Sequence, residues 1–308
     1  MTFSVTILGS SSALPTSNRF STAHLFNSNE RFFLIDCGEG TQIQLRRFRL
    51  RFSIINHIFI SHLHGDHYFG LFGLISTFAL LGRKADLHIY AHAGLEKMIE
   101  CQFPDNNINY NIVFHKITPQ KEVVLYEDKQ LIVSTFPLKH RIPANGFLFK
   151  EKERELNLRK DVISKYNLSI KDIQSIKKGN DYLWEDEKII KNKQLTFPPY
   201  QSRSYAFCSD SAYYPKIVEY IKNVDLLYHE ATFAEDMKEM AKKSTHSTAK
   251  QAAQIADKAN VGKLLIGHFS SRYKNEKLIE NEAKEVFENT EAVIEGNTYG
   301  IELKRKIN

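Results

Sequence analysis

A layered α/β domain is the fold class this sequence predicts, and three observations predict it. Short apolar runs recur along the chain. Segments of helical period lie between several of them. Metal-binding side chains follow the ends of four runs, where α/β sheets gather their sites. The strands expected in order are Phe3–Leu8, Phe32–Ile35, His57–Ile60, Leu87–Tyr90, Leu131–Phe136, Tyr205–Cys208, Leu226–Tyr228 and Leu264–Ile266. Gly40–Phe48 and Tyr68–Leu81 read as helices. Ser247–Ala259 is the clearest helix, with Ala249, Ala252, Ala253, Ala256 and Ala259 on one stripe. Ser247 or Thr248 can cap its start, and Gly262 follows its end.

The 308 residues allow one large domain or two small ones, and 42% hydrophobic content is that of a chain with a core. No apolar stretch approaches the roughly 18 residues of a membrane span. The opening MTFSVTILGSSSALPT lacks the basic start and apolar length of a signal peptide, so a cytoplasmic location without a membrane partner is expected. Cys37, Cys101 and Cys208 are odd in number and scattered, which argues for reduced, mostly buried thiols. A net charge of +6 permits an anionic partner without requiring one.

One segment breaks the rhythm. Residues 150–193 hold twelve Lys/Arg and nine Asp/Glu and are poor in strand pattern. Ser169 and Asp172 form a capping-box variant before a short helix that ends at Gly179. A solvated surface insertion and an arm that touches a large partner are the two readings. The basic cluster LRRFRLR at 45–51 also has two readings, an exposed helix end or a contact for an anionic backbone.

SHLHGDH at 61–67 puts four metal-binding side chains within six positions. An extended chain sets His62 and His64 on one side, and a turn at Gly65 brings Asp66 and His67 toward a second point. His140, Asp210 and His268 follow the apolar strands LIVSTFPLK, YAFCS and LLIG. The ligand sets expected are His62, His64 and His140 for one metal and Asp66, His67 and His268 for another, with Asp210 between. Imidazole with carboxylate suits zinc, with manganese or iron as alternatives.

HxHxDH followed by His, Asp and His at these spacings resembles the metallo-β-lactamase superfamily over nearly the whole chain. That resemblance implies a four-layer αββα sandwich with a dinuclear site at one edge. It also implies that Asp36, in LIDCGEG, supports the metal loop from behind. ILGSSSALPT (7–16), DCGEGTQ (36–42), SHLHGDHYFGLFGL (61–74), HEAT (229–232), THST (245–248) and HFSSRY (268–273) together resemble the ribonuclease Z family.

This closer resemblance implies a zinc-dependent endoribonuclease that removes the 3′ trailer from precursor tRNA. It would carry two Zn²⁺ (or Mn²⁺) per subunit and act as a homodimer, one subunit's arm holding the tRNA that the other cuts. Residues 1–308 would then be one domain with 150–193 as the inserted tRNA-binding arm. Asp66 is implied as metal ligand and proton acceptor. Glu230 and His246 match HEAT and HST, and together make a general acid or a transition-state stabiliser. An ordinary loop histidine is the bland alternative for His246, and His229 reads as structural. Arg272 and Ser211 are candidate substrate contacts, as are Lys171, Lys177 and Lys178 in the arm. Phe69 and Leu71 either line the cleft mouth or pack. The arm lacks the family's Gly-Pro pair, and SDSAY (209–213) stands where GDTR is usual. A small-molecule phosphodiesterase or arylsulfatase of the same fold is the alternative function.

Overall fold

The computed structural model describes residues 1–104, 108–118, 121–185 and 188–305. The chain forms two compact units, one of Met1–Lys150 with Ser204–Ile301, the other of Glu151–Arg203 with the residues from Glu302.

The first unit is built on two seven-stranded sheets. The first runs, in spatial order, Thr298–Gly300, Phe3–Gly9, Ala23–Ser28, Arg31–Ile35, Ile55–Phe59, Leu87–Ala91 and Ile112–Lys116. The second runs Thr290–Ala292, Lys263–Gly267, Leu226–Glu230, Ser204–Cys208, Asn145–Glu151, Leu131–Pro137 and Val123–Glu127. Within each sheet, one group of neighbours is parallel and another antiparallel. Strand periodicity explains the layering. Phe26, Phe33 and Phe59 face the second sheet, where Phe26 meets Phe149 at 4.5 Å and Phe59 meets Phe147 at 5.5 Å between ring centroids. Their neighbours Leu25, Leu34 and Ile58 turn the other way and pack with Leu71, Leu74, Ile75 and Phe78 of the helix Gly65–Leu80. The alanine stripe of the helix Ala249–Lys258 is fully buried in the cluster of the second sheet, with Leu264, Leu265 and Ile266. Two sheets with helices outside each make the αββα sandwich. Each fully buried large side chain contributes about 1.5–3 kcal/mol.

Two local expectations change. The helix expected from Tyr68 begins at Gly65, so Asp66 and His67 occupy its first turn rather than a separate bend. A carboxylate there is favoured by the helix dipole. The helix near 247–259 starts at Ala249, with Thr248 and Gln251 forming a reciprocal capping box. Cys37 and Cys208 are buried and Cys101 is exposed, all three as free thiols.

The second unit has a small core of its own, Val162, Leu168, Ile176, Ile190 and Leu195. Tyr166 packs edge-on against Trp184 at 5.1 Å. The helix Ile170–Lys177 carries the expected capping box of Ser169 and Asp172, and Gly179 ends it with φ 102°. The strand pairs Asn157–Leu158 with Thr196–Phe197, and Tyr182–Trp184 with Lys188–Ile190, interrupt what the sequence suggested was strand-poor. Runs of two or three residues are too short for alternation to be read. Glu151 is buried and takes both Arg203 Nε at 3.0 Å and Arg203 Nη2 at 2.9 Å. Asp186 and Glu187 of the charged segment lie outside the described residues.

Candidate metal centre

Strand ends build this site. His62 and His64 follow Ile55–Phe59, His140 follows Leu131–Pro137, Asp210 follows Ser204–Cys208 and His268 follows Lys263–Gly267. The seven expected ligands converge as two groups. His62, His64, His140 and Asp210 bring one ligand atom each within 4.8 Å of one another, as do Asp66, His67 and His268. Asp210 spans both groups. Its Oδ2 lies 3.6 Å from His62 Nε2 and 3.8 Å from His140 Nε2, and its Oδ1 lies 3.3 Å from His67 Nε2 and 3.1 Å from His268 Nε2. His246 also groups with Asp210 and His268.

The far side of three of these rings is tied down. His62 Nδ1 meets Ser61 Oγ at 3.0 Å, His140 Nδ1 meets the Thr245 carbonyl at 3.0 Å, and His268 Nδ1 meets Thr232 Oγ1 at 2.9 Å. Those bonds leave Nε2 of the three rings aimed inward, whereas His64 turns Nδ1 toward His62 Nε2 and His140 Nε2, at 3.0 Å and 3.2 Å. The inward atoms test whether a cation fits. His67 Nε2 and His268 Nε2 are buried, and no hydrogen bond satisfies either. Burying such atoms unpaired costs about 1–3 kcal/mol each, and a cation shared with the carboxylates removes that cost. A divalent metal therefore suits the donor set.

Asp36 is the support behind the loop. It is fully buried, with φ 56°, and takes Ser61 N–H at 2.7 Å, Ser61 Oγ at 2.8 Å and His67 Nδ1 at 2.7 Å. Burial pushes its carboxyl up against the opposing pull of His67. Asp36→Ala leaves Ser61 N–H and His67 Nδ1 without partners. Metal affinity should fall about 10–100-fold, read by competition with a chromogenic chelator.

Glu230 and His246 form a second, tightly built pair. The fully buried Glu230 accepts from Ser211 N–H at 3.1 Å, Ser247 N–H at 3.1 Å, Thr232 N–H at 3.0 Å and Thr232 Oγ1 at 2.7 Å. His246 Nδ1 completes the set at 2.9 Å. Burial opposes a charged His246, but the Glu230 carboxylate prevails and raises its pKa to about 9. The imidazolium therefore persists at neutral pH, with Nε2 as its remaining donor. His246 is 9% exposed, so this donor sits at the edge of the buried cluster.

The other candidates separate by position. Arg272 is exposed, bonds Ser270 Oγ through Nε at 3.1 Å, and lies 5.3 Å over the Phe233 ring, which neighbours His246. Ser211 is fully buried. Its hydroxyl takes Lys139 N–H at 3.2 Å and donates to the Ala212 carbonyl at 2.9 Å, so it braces the Asp210 turn. Lys171 and Lys178 are exposed and Lys177 half-buried, all on or beside the capped helix of the second unit. His229 is buried with Nδ1 on the Glu230 carbonyl. Leu71 packs in the core, whereas Phe69 is 57% exposed. Arg46, Arg47, Arg49 and Arg51 of the basic cluster are exposed.

Three supporting groups had no sequence signal of their own role. Thr232 ties Glu230 to His268. The Ala13 N–H donates to Asp66 Oδ2 at 2.9 Å, across a loop where Ala13 holds φ 50°. Glu295 takes Ser10 N–H at 3.0 Å, Phe20 N–H at 2.8 Å and Gln44 Nε2 at 2.9 Å, which anchors that loop.

Comparison with known proteins adds to this geometry. Residues 3–103 match the family model described as anti-Pycsar protein Apyc1. The chain is 50% identical over 290 residues to ribonuclease Z of Phocaeicola vulgatus, covering 94% of each chain. It is 49% identical over 290 residues to ribonuclease Z of Bacteroides thetaiotaomicron, covering 94% of this chain and 92% of the relative. Among solved structures, the short form of human tRNase Z matches with TM-score 0.69 and 25% identity, covering 96% of this chain and 98% of the other. A metallo-β-lactamase fold protein of Bacillus subtilis matches in fold with TM-score 0.68 at 18% identity, covering 97% and 100%.

Proposed function

The chain belongs to the ribonuclease Z family, and on that premise we propose that it cuts the 3′ trailer from precursor tRNA. The observation that carries this reading is the pairing of the two ligand groups with the Glu230–His246 imidazolium. A phosphodiester cut needs a water activated on one side and a protonated leaving oxygen on the other. Two Zn²⁺ per subunit (or Mn²⁺), held by His62, His64, His140, Asp210, Asp66, His67 and His268, would supply charge neutralisation and a lowered water pKa.

The chain's own residues do the rest. Asp66, fixed by the Ala13 N–H, takes a proton from the attacking water. The water oxygen bonds phosphorus as the bond to the 3′ oxygen breaks. His246 gives its Nε2 proton to that oxygen, and Glu230 stabilises the imidazolium beforehand. The products are a 3′-hydroxyl on tRNA and a 5′-phosphate on the trailer. Arg272 meets an RNA phosphate near His246. In the second unit, Lys171, Lys177 and Lys178 meet phosphates of the tRNA body, which makes residues 150–193 a binding arm without a Gly-Pro pair. The active form is a cytoplasmic homodimer. No helix among the described residues is long and apolar enough to cross a membrane.

The test is a zinc- or manganese-loaded enzyme given precursor tRNA with a 3′ trailer, beside bis(p-nitrophenyl) phosphate. One cut at the trailer junction supports the reading. Hydrolysis of the small diester alone sinks it in favour of a small-molecule phosphodiesterase.

A further inference from the structure

We propose that Phe69 is a stacking platform for a nucleobase beside the scissile phosphate, a positioning residue for the reaction proposed above, on which this inference rests. Phe69 lies in the first turns of the helix Gly65–Leu80, just past Asp66 and His67. Its ring is seated on Gly65, where an added Cβ would stand 2.2 Å from Cε2 and 2.5 Å from Cζ. Gly65 separates His64 from Asp66, so the ring covers the backbone between one member of each ligand group. Tyr68 packs edge-on against it at 4.9 Å between centroids and limits its swing.

The ring is nevertheless 57% exposed, while Tyr68 and Phe78 of the same helix are 7% and 1% exposed. Leu14, 64% exposed, stands beside Ala13, whose N–H holds Asp66. The two segments that meet at Asp66 thus each present an apolar side chain to solvent. Such exposure at a site lip is what a ligand with a flat apolar face would cover. A nucleobase has that face, and aromatic stacking accepts any base. Stacking there would hold one nucleotide flanking the cut and fix the phosphate between Asp66 and His246.

The experiment compares kcat/KM for precursor tRNA and for bis(p-nitrophenyl) phosphate in wild type, Phe69→Ala and Phe69→Tyr, each metal-loaded. Phe69→Ala should lose roughly ten-fold more on tRNA than on the diester, chiefly in KM, and Phe69→Tyr should restore it. Precursor tRNA with an abasic nucleotide on one side of the cut should cost wild type a similar factor and cost Phe69→Ala nothing further. Equal losses on both substrates, or abasic and Phe69 losses that multiply, would overturn the proposal. So would an altered sedimentation coefficient with an unchanged substrate ratio, which would seat another protein surface on the ring. Wild type that hydrolyses the diester and leaves precursor tRNA intact overturns the function itself, and shows this before any variant is compared.

Discussion

Replacing Asp66 by alanine should abolish cleavage while tRNA still binds. Asp66 has two duties in the proposed reaction. Its carboxylate belongs to the ligand group with His67 and His268, at 3.4 Å and 3.6 Å from their Nε2 atoms. It also accepts the water proton. Burial pushes its carboxyl up, yet His67 holds it below the ordinary range, so it is ionised and carries the charge a metal ligand needs. Losing a positioned base alone costs about 10²–10⁴ in rate, and losing a ligand adds to that. Asp66→Asn separates the duties, because the amide keeps an oxygen for the metal and the Ala13 N–H but accepts no proton. Metal content should stay closer to wild type in Asp66→Asn than in Asp66→Ala, while both lose turnover. Normal cleavage by Asp66→Ala would end the proton-acceptor assignment. Gel shift with uncut precursor tRNA gives the binding arm of the comparison.

How far the site can be read from sequence depends on where each interaction is encoded. His62, His64, Asp66 and His67 lie within one short stretch, so their convergence is local. His140, Asp210 and His268 are far apart in sequence, but each follows a strongly apolar strand, and the strands before Asp210 and His268 both run parallel to Leu226–Glu230, which brings those two ends together. The supports are less visible. Asp36 works through a left-handed backbone conformation that no residue type announces. Thr232 is one letter of HEAT, and its bonds to Glu230 and His268 need two strand ends to adjoin. Ser211 is a candidate substrate contact by sequence, but in the fold its hydroxyl accepts from the distant Lys139 N–H, a partner that no local pattern marks. The strand Ala23–Ser28 was hidden because His24 and Asn27 break its apolar pattern. His24 is buried all the same, with Nδ1 on Tyr205 Oη at 3.0 Å. The edge strand Thr298–Gly300 carries little apolar signal because only Tyr299 is buried, whereas Val123–Glu127 is an apolar run, VVLYE, that stands largely exposed at its sheet edge.

His246→Ala should lower kcat on precursor tRNA by about 10²–10⁴ and matter far less for bis(p-nitrophenyl) phosphate. The difference lies in the leaving group. A ribose 3′ oxygen is strongly basic and must be protonated as it departs. A p-nitrophenolate leaves without that help. A transition-state stabiliser would serve both substrates alike, so the ratio of losses separates the two roles. The pH profile gives an independent readout. Glu230 raises the His246 pKa to about 9, so the acid form exists below that pH and is lost above it. Wild-type kcat on precursor tRNA should therefore fall on an alkaline limb near pH 9. Glu230→Gln removes the charge that sustains the imidazolium, and burial then works unopposed by it. The limb should move down toward the ordinary histidine value of about 6.5. In Glu230→Gln the amide oxygen can replace Oε1, the acceptor of Ser211 N–H and Ser247 N–H, while Thr232 N–H loses Oε2, so the shift is read after circular dichroism shows the variant folded. An alkaline limb that stays in place in Glu230→Gln would mean that another group supplies the proton, and His246 would then be a binding residue.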